Sequence, residues 1–405
     1  MDYSRALEES ADCYLIGSII PVVAAILERR VYFPWGDKKI YPNIFSMLVG
    51  KPGDRKTSAI TRAKSIASRS LPENAFLPAS FSPESMFDEY DPERGGRPDK
   101  IWIQGEANTV LGDWKNSSNG ERVANRILAL HDCEELSESF RRNARNGGDS
   151  PRRFIQETST NIVFGATFQS AYFQGTSVRN GMERRFLYYI GYRFGRTIVR
   201  PLSCNPAQLD ALGDRFRSCN ELFGPMDLAP EAEYIWEEIQ TRNRFEIQSA
   251  DIFDEGYCSR LSGVPTYIIK VAMVFQAARW AKEGRGMCSI IEPDILCYAR
   301  DHVYACVEAL RAGTILGRRS ETQMDAESIL ARIRTKYPAI NGSIYVSRTQ
   351  LTECFCKNPN RPNAIDTKDL YSRIIPFLIE QRLAQTVSGI NSGDNRREIY
   401  AFRPE

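Results

Sequence analysis

One segment constrains this chain more than any other: an apolar run ends in a glycine-bearing loop that closes on Lys-Thr. Residues 44–58 read IFSMLVGKPGDRKTS, and Gly50, Lys56 and Thr57 stand at the first, seventh and eighth places of G-x-x-x-x-G-K-[ST]. In such a loop, backbone N–H groups and the start of the following helix hold phosphate oxygens. The lysine reaches the β- and γ-phosphates, and the hydroxyl binds Mg²⁺. The segment therefore predicts a phosphate-binding loop.

The loop departs from the general pattern at its sixth place, where Arg55 stands instead of a second glycine, and Gly53 comes two places earlier. The flanking sequence supports the prediction, because a β-rich run, Phe45 to Val49, precedes the loop and a helical pattern, Thr57 to Ser70, follows it. The alternative is a glycine-proline turn whose lysine is merely solvated. The residues expected around the phosphates and the magnesium ion are Gly50, Pro52, Gly53, Asp54, Arg55, Lys56, Thr57 and Ser58.

Size and composition set further bounds. A chain of 405 residues is longer than a domain with a single hydrophobic core usually is, so two domains are expected. The length also allows a small helical third element. The net charge of +2, from 53 basic and 51 acidic side chains, argues against a surface that binds polyanions uniformly. Any contact with nucleic acid is therefore expected at local basic patches. Ten scattered cysteines without a C-x-x-C pair, and two histidines, argue against a disulfide framework and a structural zinc site.

No signal peptide is visible, and the apolar run from Tyr14 to Leu27 is 14 residues long and interrupted by Pro21. That run is too short to span a bilayer, so it is interpreted as a buried helix. The sequence predicts no membrane association and a reducing, cytoplasmic location.

Strand and helix patterns alternate from Asp37 to Arg200, which indicates a parallel sheet covered by helices. The expected strands are Ile44 to Val49, Ala75 to Ala79, Lys100 to Gln104, Asn161 to Ala166 and Phe186 to Gly191, and the expected helices are Ser82 to Tyr90 and Glu121 to Asp132.

Long amphipathic helices replace the strands from Asn205 to Arg318 and predict a helical lid. They are Pro230 to Arg244, Tyr257 to Ala281 and Pro293 to Ala312. Within this lid, Arg260 and Lys270 are candidates to reach back to a bound nucleotide, and the alternative is that they are surface cations. The polar, glycine-bearing segment Gly313 to Thr322 is expected to be a linker.

The last module of roughly 80 residues has the pattern of a winged helix, three helices followed by a β-hairpin. The expected elements are Met324 to Lys336, Arg348 to Cys356, Asp366 to Gln381, Leu383 to Val387 and Arg397 to Phe402. In such modules the third helix usually enters the major groove and the wing lies near the DNA backbone, so the expected DNA contacts are Lys368, Arg373, Arg396 and Arg397. The alternative is a winged helix that docks on protein, since its basic residues are few.

Two apolar strands end in groups suited to phosphate chemistry. The run KIWIQGE, residues 100–106, ends in Glu106, which is the candidate to polarise an attacking water. Gly105 occupies the place where a first carboxylate would support Mg²⁺, so either the metal relies on Thr57 and water or hydrolysis is slow. The run NIVFGATFQ, residues 161–169, ends in Thr167 and Gln169, candidates to sense the γ-phosphate. The alternative for Glu106 is a surface glutamate.

Two arginine-containing segments have further predicted roles. GMERR, residues 181–185, carries Arg184 and Arg185 just before a strand, and one of them is expected to act as an arginine finger on a neighbouring subunit's nucleotide. An ordinary surface arginine is the alternative. The segment 139–157 resembles a basic β-hairpin or loop for a nucleic-acid strand, and the alternative is a solvated loop. Its arginines are Arg141, Arg142, Arg145, Arg152 and Arg153.

In this order, from the phosphate loop through GMERRF to YCSRLSGVPTYIIKVAMVF in the lid, the motifs resemble one family over about Tyr14 to Ala312. They resemble the AAA+-like P-loop ATPases of primase-helicase type found in phages, plasmids and mobile elements, in which a non-glycine residue also precedes the lysine. The terminal module resembles the winged helices that replication initiators append to such motors.

The resemblance implies an α/β fold, with a P-loop NTPase (AAA+-like) core at residues 1–204, a helical lid at 205–318 and a winged helix at 323–405. It implies ATP and Mg²⁺ as cofactors, and DNA as partner, either single-stranded or forked or an origin duplex. It also implies a homo-oligomeric ring with six as the expected number of subunits, and DNA helicase or translocase activity in the replication of a phage or mobile element, in a bacterial or phage-infected cell. One alternative is an initiator or regulator that uses ATP only to set its assembly state. Another is a P-loop enzyme, such as a kinase, that acts on a small phosphate acceptor.

Overall fold

The computed structural model describes residues 10–107, 110, 118–139, 152–168, 181–191, 205–249, 255–283, 289–340, 342–356, 366–387 and 399–403. The chain divides into two compact units, Met1–Gly313 and Thr314–Glu405. The first unit is a mixed α/β fold built on a parallel sheet, and the second combines short helices with an antiparallel sheet.

The first unit has short strands at its ends and a central group of longer ones. Its strands are β1 (Val31–Trp35), β2 (Lys38–Ile40), β3 (Phe45–Val49), β4 (Asp99–Gln104), β5 (Leu136–Ser139), β6 (Arg152–Ile155), β7 (Ser159–Ala166), β8 (Leu187–Ile190), β9 (Gly224–Pro225), β10 (Asp227–Leu228) and β11 (Ile290–Ile291). Its helices are α1 (Asp12–Leu27), α2 (Lys56–Ser70), α3 (Pro83–Tyr90), α4 (Ser118–His131), α5 (Pro206–Arg217), α6 (Pro230–Ser249), α7 (Glu255–Glu283) and the first part of α8 (Pro293–Lys336).

The central sheet has four parallel strands in the order β4-β7-β3-β8. Its strands are apolar and buried on both faces, because parallel sheets are covered by the helices that connect their strands. Alternate residues of β3 serve opposite layers: Leu48 packs in the core with α1, α2 and α7, whereas Phe45 and Met47 pack in the core with α3 and α4. Four of the five predicted strands are thereby confirmed, as are the helices predicted between them.

The fifth predicted strand, Ala75 to Ala79, is wrong. A 3₁₀ turn, Glu73–Ala75, occupies its start, and then a single parallel bridge joins Phe76 to Ile101 of β4. Beside this bridge, the Leu77 N–H donates to the Ile101 carbonyl at 2.9 Å. The sheet therefore gains one bridge at this edge instead of a strand.

The predicted N-terminal helix is confirmed as α1, which is buried along most of its length and keeps Pro21 in its interior. Among the described residues, one helical stretch, Arg260–Glu283 within α7, is long and apolar enough to cross a membrane. The protein itself buries 67% of that apolar window. The hairpin of β1 and β2 was not predicted, and its strands pair from Phe33↔Ile40 to Trp35↔Lys38.

The predicted linker Gly313 to Thr322 is wrong as a structural element, because the backbone there belongs to α8, which runs unbroken from Pro293 to Lys336. No proline follows Pro293 within this helix, and each of the two glycines in the segment costs a helix only about 1 kcal/mol. The division between the two units nevertheless falls at Gly313, within the segment that the sequence singled out.

The second unit contains the end of α8, followed by short helices and β-strands. These are β12 (Ile344–Ser347), α9 (Arg348–Phe355), α10 (Thr367–Asp369), a π-helical turn (Leu370–Ile374), α11 (Ile375–Glu380), β13 (Ala384–Val387) and β14 (Ile399–Phe402). The antiparallel sheet has the order β12-β14-β13, and β12 was not predicted. Pro376, which cannot donate a helical hydrogen bond, accounts for the π turn before it. The core of this unit includes Ile333, Val346 and Phe402.

His302 of α8 gives the first unit a testable pH dependence. Its Nε2 lies 2.9 Å from the hydroxyl of Tyr189 in β8, and burial lowers the pKa of His302 to about 4 from its ordinary 6.5. Between these two values the unfolded chain binds the proton more tightly, so acid favours unfolding. We expect the free energy of unfolding to fall by about 1–2 kcal/mol through this residue between pH 6.5 and 5, and to be unaffected by it above pH 6.5.

The measurement is denaturant unfolding at several pH values, with His302→Gln as the matched variant. Glutamine keeps an acceptor for the tyrosine hydroxyl but does not titrate in this range. The variant is expected to lose that part of the acid sensitivity, and equal slopes for both proteins would contradict the prediction.

Candidate functional site

In the loop between β3 and α2, an arginine adopts a left-handed backbone conformation that usually requires glycine. Arg55 has φ 59° and ψ 22°, a left-handed conformation, and Gly53 has φ 89°. A left-handed backbone costs a residue with a Cβ about 1–2 kcal/mol, so the fold must compensate at Arg55. Gly50 is required at the start of the loop, because a Cβ there would collide with the hydroxyl of Tyr14 and stand 2.6 Å from Oδ2 of Asp54.

Lys56 points into this loop. Its side chain is buried, and Nζ donates to the carbonyl oxygens of Gly50 at 2.9 Å and Lys51 at 2.8 Å. Burial lowers the pKa of Lys56, whereas the carboxylates of Asp54 and Glu106 act in the opposite direction. The loop therefore holds an ammonium group against its own carbonyls, while Pro52 and Gly53 are exposed at its tip.

The carboxyl ends of two neighbouring strands meet the loop. A Cβ at Gly105, just after β4, would lie 3.1 Å from Cγ2 and 3.9 Å from Oγ1 of Thr57. The place of the missing carboxylate is thus beside the hydroxyl predicted to bind magnesium. Glu106 follows at an exposed position and acts electrostatically on Lys56.

β7 lies between β3 and β4, and the Gly50 N–H donates to the Ala166 carbonyl at 3.3 Å, so Thr167 comes directly beside the loop. The structure therefore brings together Lys56, Thr57, Glu106 and Thr167 at one edge of the sheet. Gln169 lies outside the described residues. Within the described ranges, no group of three His, Cys, Asp or Glu side chains could hold a metal ion.

The two lid cations lie elsewhere. Lys270 is buried, and its Nζ donates to Oδ1 of Asn43, just before β3, at 2.9 Å; burial lowers the pKa of Lys270 to about 8. The length of β3 separates this amino edge from the loop by about 20 Å. The expectation that Lys270 reaches the nucleotide is therefore wrong within one chain. Arg260 lines a pocket with Arg184 beside the first half of β8, so it also lies away from its own loop.

The structure distinguishes the two candidate finger residues, which the sequence left equivalent. Arg185 forms an ion pair with Asp132, and its side chain is 12% exposed. Arg184 is exposed in the same turn, which precedes β8. Arg185 is thus engaged within its own chain, and Arg184 is the residue available to a neighbour.

A buried polar cluster behind this turn was missed by sequence reasoning. His131 is the last residue of α4, with Nδ1 at 2.8 Å from Asp132 Oδ1 and Nε2 at 2.9 Å from the hydroxyl of Tyr267 in α7. The same tyrosine hydroxyl donates to the carbonyl of Arg185. Asn43 joins the cluster by donating to the His131 carbonyl at 2.7 Å. The cluster ties the turn that carries Arg184 to α4, α7 and the start of β3.

The predicted nucleic-acid contacts are partly described. β5 and β6 pair as an antiparallel ladder, Leu136↔Ile155 to Ser139↔Arg152, which agrees with a hairpin, and Phe154 in it is 54% exposed. Lys368 is exposed at the start of the third helix of the second unit. Arg373 pairs with Asp325 at 2.8 Å and its side chain is 29% exposed, so its contact with DNA stays a prediction. Outside the described residues or side chains lie Arg141, Arg142, Arg145, Arg152, Arg153, Arg396 and Arg397.

No protein-family model matches the chain, and no curated protein matches it in a sequence search. The function is therefore inferred from the arrangement of the residues.

Proposed function

We propose that this protein is a P-loop ATPase of the AAA+-like type that works as a DNA helicase or translocase, in a homo-oligomeric ring with six as the expected number of subunits. We further propose that it acts in the cytoplasm in the replication of a phage or mobile element. One observation carries the proposal: Lys56, Thr57, Glu106 and Thr167, from three adjacent parallel strands and the loop after β3, converge at one edge.

The position of this edge fits nucleotide binding. In open α/β sheets, ligands bind outside the carboxyl ends of the strands, where neighbouring connections lead in opposite directions. Here the connection from β3 leads to β4 on one side, and the connection from β7 leads to β8 on the other. A triphosphate in the crevice would extend from the loop of β3 toward the ends of β7 and β4.

Each residue then has a chemical role. The ammonium of Lys56 would exchange its loop carbonyls for the β- and γ-phosphates, and the Thr57 hydroxyl would bind Mg²⁺. Glu106 would orient the attacking water, and Thr167 would contact the γ-phosphate. Charge stabilisation and positioning supply most of the rate enhancement in phosphoryl transfer, and these side chains are of the types that provide both.

The proposed ring rests on the arginine turn. Arg184 is exposed about 20 Å from Lys56 of the same chain, at the amino edge of the sheet, so it cannot serve its own nucleotide. A head-to-tail contact between copies would bring it to the phosphates of the next chain, and such contacts close into rings.

The DNA partner rests on two features. The β5–β6 ladder carries an exposed aromatic, Phe154, in a segment whose sequence is rich in arginine, and both residue types suit a single strand. In the second unit the order helix, strand, helix, helix, strand, strand, with the sheet order β12-β14-β13, supports a winged helix, with Lys368 exposed on its third helix.

A second candidate function is an ATP-switched initiator or regulator without unwinding activity. Gly105 favours it, because the carboxylate that commonly supports Mg²⁺ is missing beside Thr57. Slow hydrolysis would suit a protein whose assembly state, instead of its movement, depends on the nucleotide.

The experiment that tests the proposal combines electron microscopy with two assays on forked DNA in the presence of ATP and Mg²⁺. A motor is expected to form rings, to hydrolyse ATP faster when single-stranded DNA is added, and to separate the strands. Nucleotide-dependent assembly without strand separation would select the switch. Transfer of phosphate to a small acceptor in preference to water would contradict both.

A further inference from the structure

The residues that precede and begin α1 hold the two ends of the phosphate loop. Ser10, which is buried, donates from Oγ to the carbonyl of Arg55 at 2.8 Å. Tyr14 donates from its hydroxyl to the Val49 carbonyl at 2.8 Å and accepts from the Gly191 N–H at 3.1 Å. The first contact is made at the left-handed residue before Lys56, and the second at the residue before Gly50.

The contact of Ser10 fixes the direction of one peptide group. A trans peptide points its C=O and the next residue's N–H in opposite directions. The Arg55 carbonyl accepts both from Ser10 and from the Ala59 N–H of α2, at 3.3 Å. With that carbonyl held on the side of Ser10 and the helix, the Lys56 N–H is directed to the other side, where a helix N-terminus offers its amides to an anion.

A glycine at position 55 would adopt the left-handed conformation without help, since it has no Cβ to crowd the backbone. Arginine adopts it against a steric preference, with φ at 59°. The side chain that secures this conformation comes from 45 residues earlier in the sequence and packs against the loop from outside.

We propose that Ser10 is a positioning residue for nucleotide binding: its hydrogen bond holds Arg55 in the left-handed conformation and so replaces the second glycine of the loop. This inference rests on the proposed function, because the property it predicts is affinity for ATP with Mg²⁺. Ser10 itself contacts neither the phosphates nor the metal.

The test is a mutant cycle read by isothermal titration calorimetry with Mg²⁺-ATP. The proteins are the wild type, Ser10→Ala, Arg55→Gly and the double variant. Ser10→Ala is expected to weaken ATP binding about fivefold, the usual effect of one lost hydrogen bond. Arg55→Gly supplies the second background, and its affinity is compared only with that of the double variant. In the Arg55→Gly background, the Ser10→Ala change is expected to alter the affinity less than about twofold, since glycine needs no support.

Two controls separate this role from general stability. Ser70→Ala removes a buried hydroxyl at the opposite end of α2, where it donates to the carbonyls of Ile66 and Gly213, and is expected to leave ATP affinity unchanged. Ser10→Cys keeps the side-chain volume but substitutes a weak donor, so it is expected to lower affinity with the fold intact. Thermal unfolding of each variant reports the fold.

The outcomes are distinct. A fivefold loss of ATP affinity on Ser10→Ala in the wild-type background, absent in the Arg55→Gly background, supports the inference. An equal loss in both backgrounds, or no loss in Ser10→Ala and Ser10→Cys, refutes it while the proposed function stands. Absence of ATP binding by the wild type refutes the proposed function, and this inference with it.

Discussion

Lys56→Ala is expected to lower kcat/KM for ATP hydrolysis by about three orders of magnitude, equivalent to ~4 kcal/mol of barrier. The reason is geometric: Nζ of Lys56 lies inside the loop on the carbonyls of Gly50 and Lys51, the position from which it would meet the β- and γ-phosphates. Strand separation should be lost together with hydrolysis.

The measurement is steady-state ATPase activity with and without single-stranded DNA, paired with strand displacement on a fork. Lys64→Ala is the matched control, because Lys64 is exposed on the same helix two turns further on. It should retain wild-type rates. Hydrolysis by Lys56→Ala within tenfold of the wild type would show that the loop is only a structural turn.

Arg184→Ala is expected to lower hydrolysis by the assembled protein about a thousandfold, the effect of losing an arginine finger. ATP binding by a single chain should be unchanged, since Arg184 lies about 20 Å from its own Lys56. Arg185→Ala is expected to act differently. It removes the partner of Asp132, which is 36% exposed at the edge of the buried cluster, and should lower the thermal unfolding temperature.

Mixing two inactive proteins gives the sharper measurement. A chain with Lys56→Ala still presents Arg184, and a chain with Arg184→Ala still has a complete loop. In randomly mixed rings about a quarter of the interfaces combine the intact halves, so hydrolysis should return well above that of either variant alone. No recovery on mixing, with mixed rings verified by microscopy, would remove the main support for a ring.

The sequence determined the elements that depend on local preference. Apolar runs bounded by glycine and polar residues predicted the four strands of the central sheet, because a buried strand consists largely of apolar side chains. α3 begins at its predicted place, where the hydroxyl of Ser82 caps the helix by accepting from the Ser85 N–H. The helices of the second unit followed in the same way.

The sequence predicts the role of a cation less well, because the same residue type can contact either a ligand or a partner within its own fold. The sequence predicts ligand contacts for Lys270 and Arg373 because cations in a lid or a recognition helix often bind phosphate. Both engage partners in their own unit, Asn43 and Asp325. The signals were identical in sequence, since a buried cation and a ligand-binding cation differ only in what surrounds them.

Tertiary structure alone decided how the site is assembled. Which strand ends become neighbours depends on sheet order, so only the fold brought Gly105 beside Thr57 and Thr167 beside the loop. Only the fold supplied Ser10 to Arg55 and Asp132 to Arg185. The physical reason is that periodicity and local motifs report burial and backbone shape within a few residues, whereas contacts between distant segments depend on how whole elements pack.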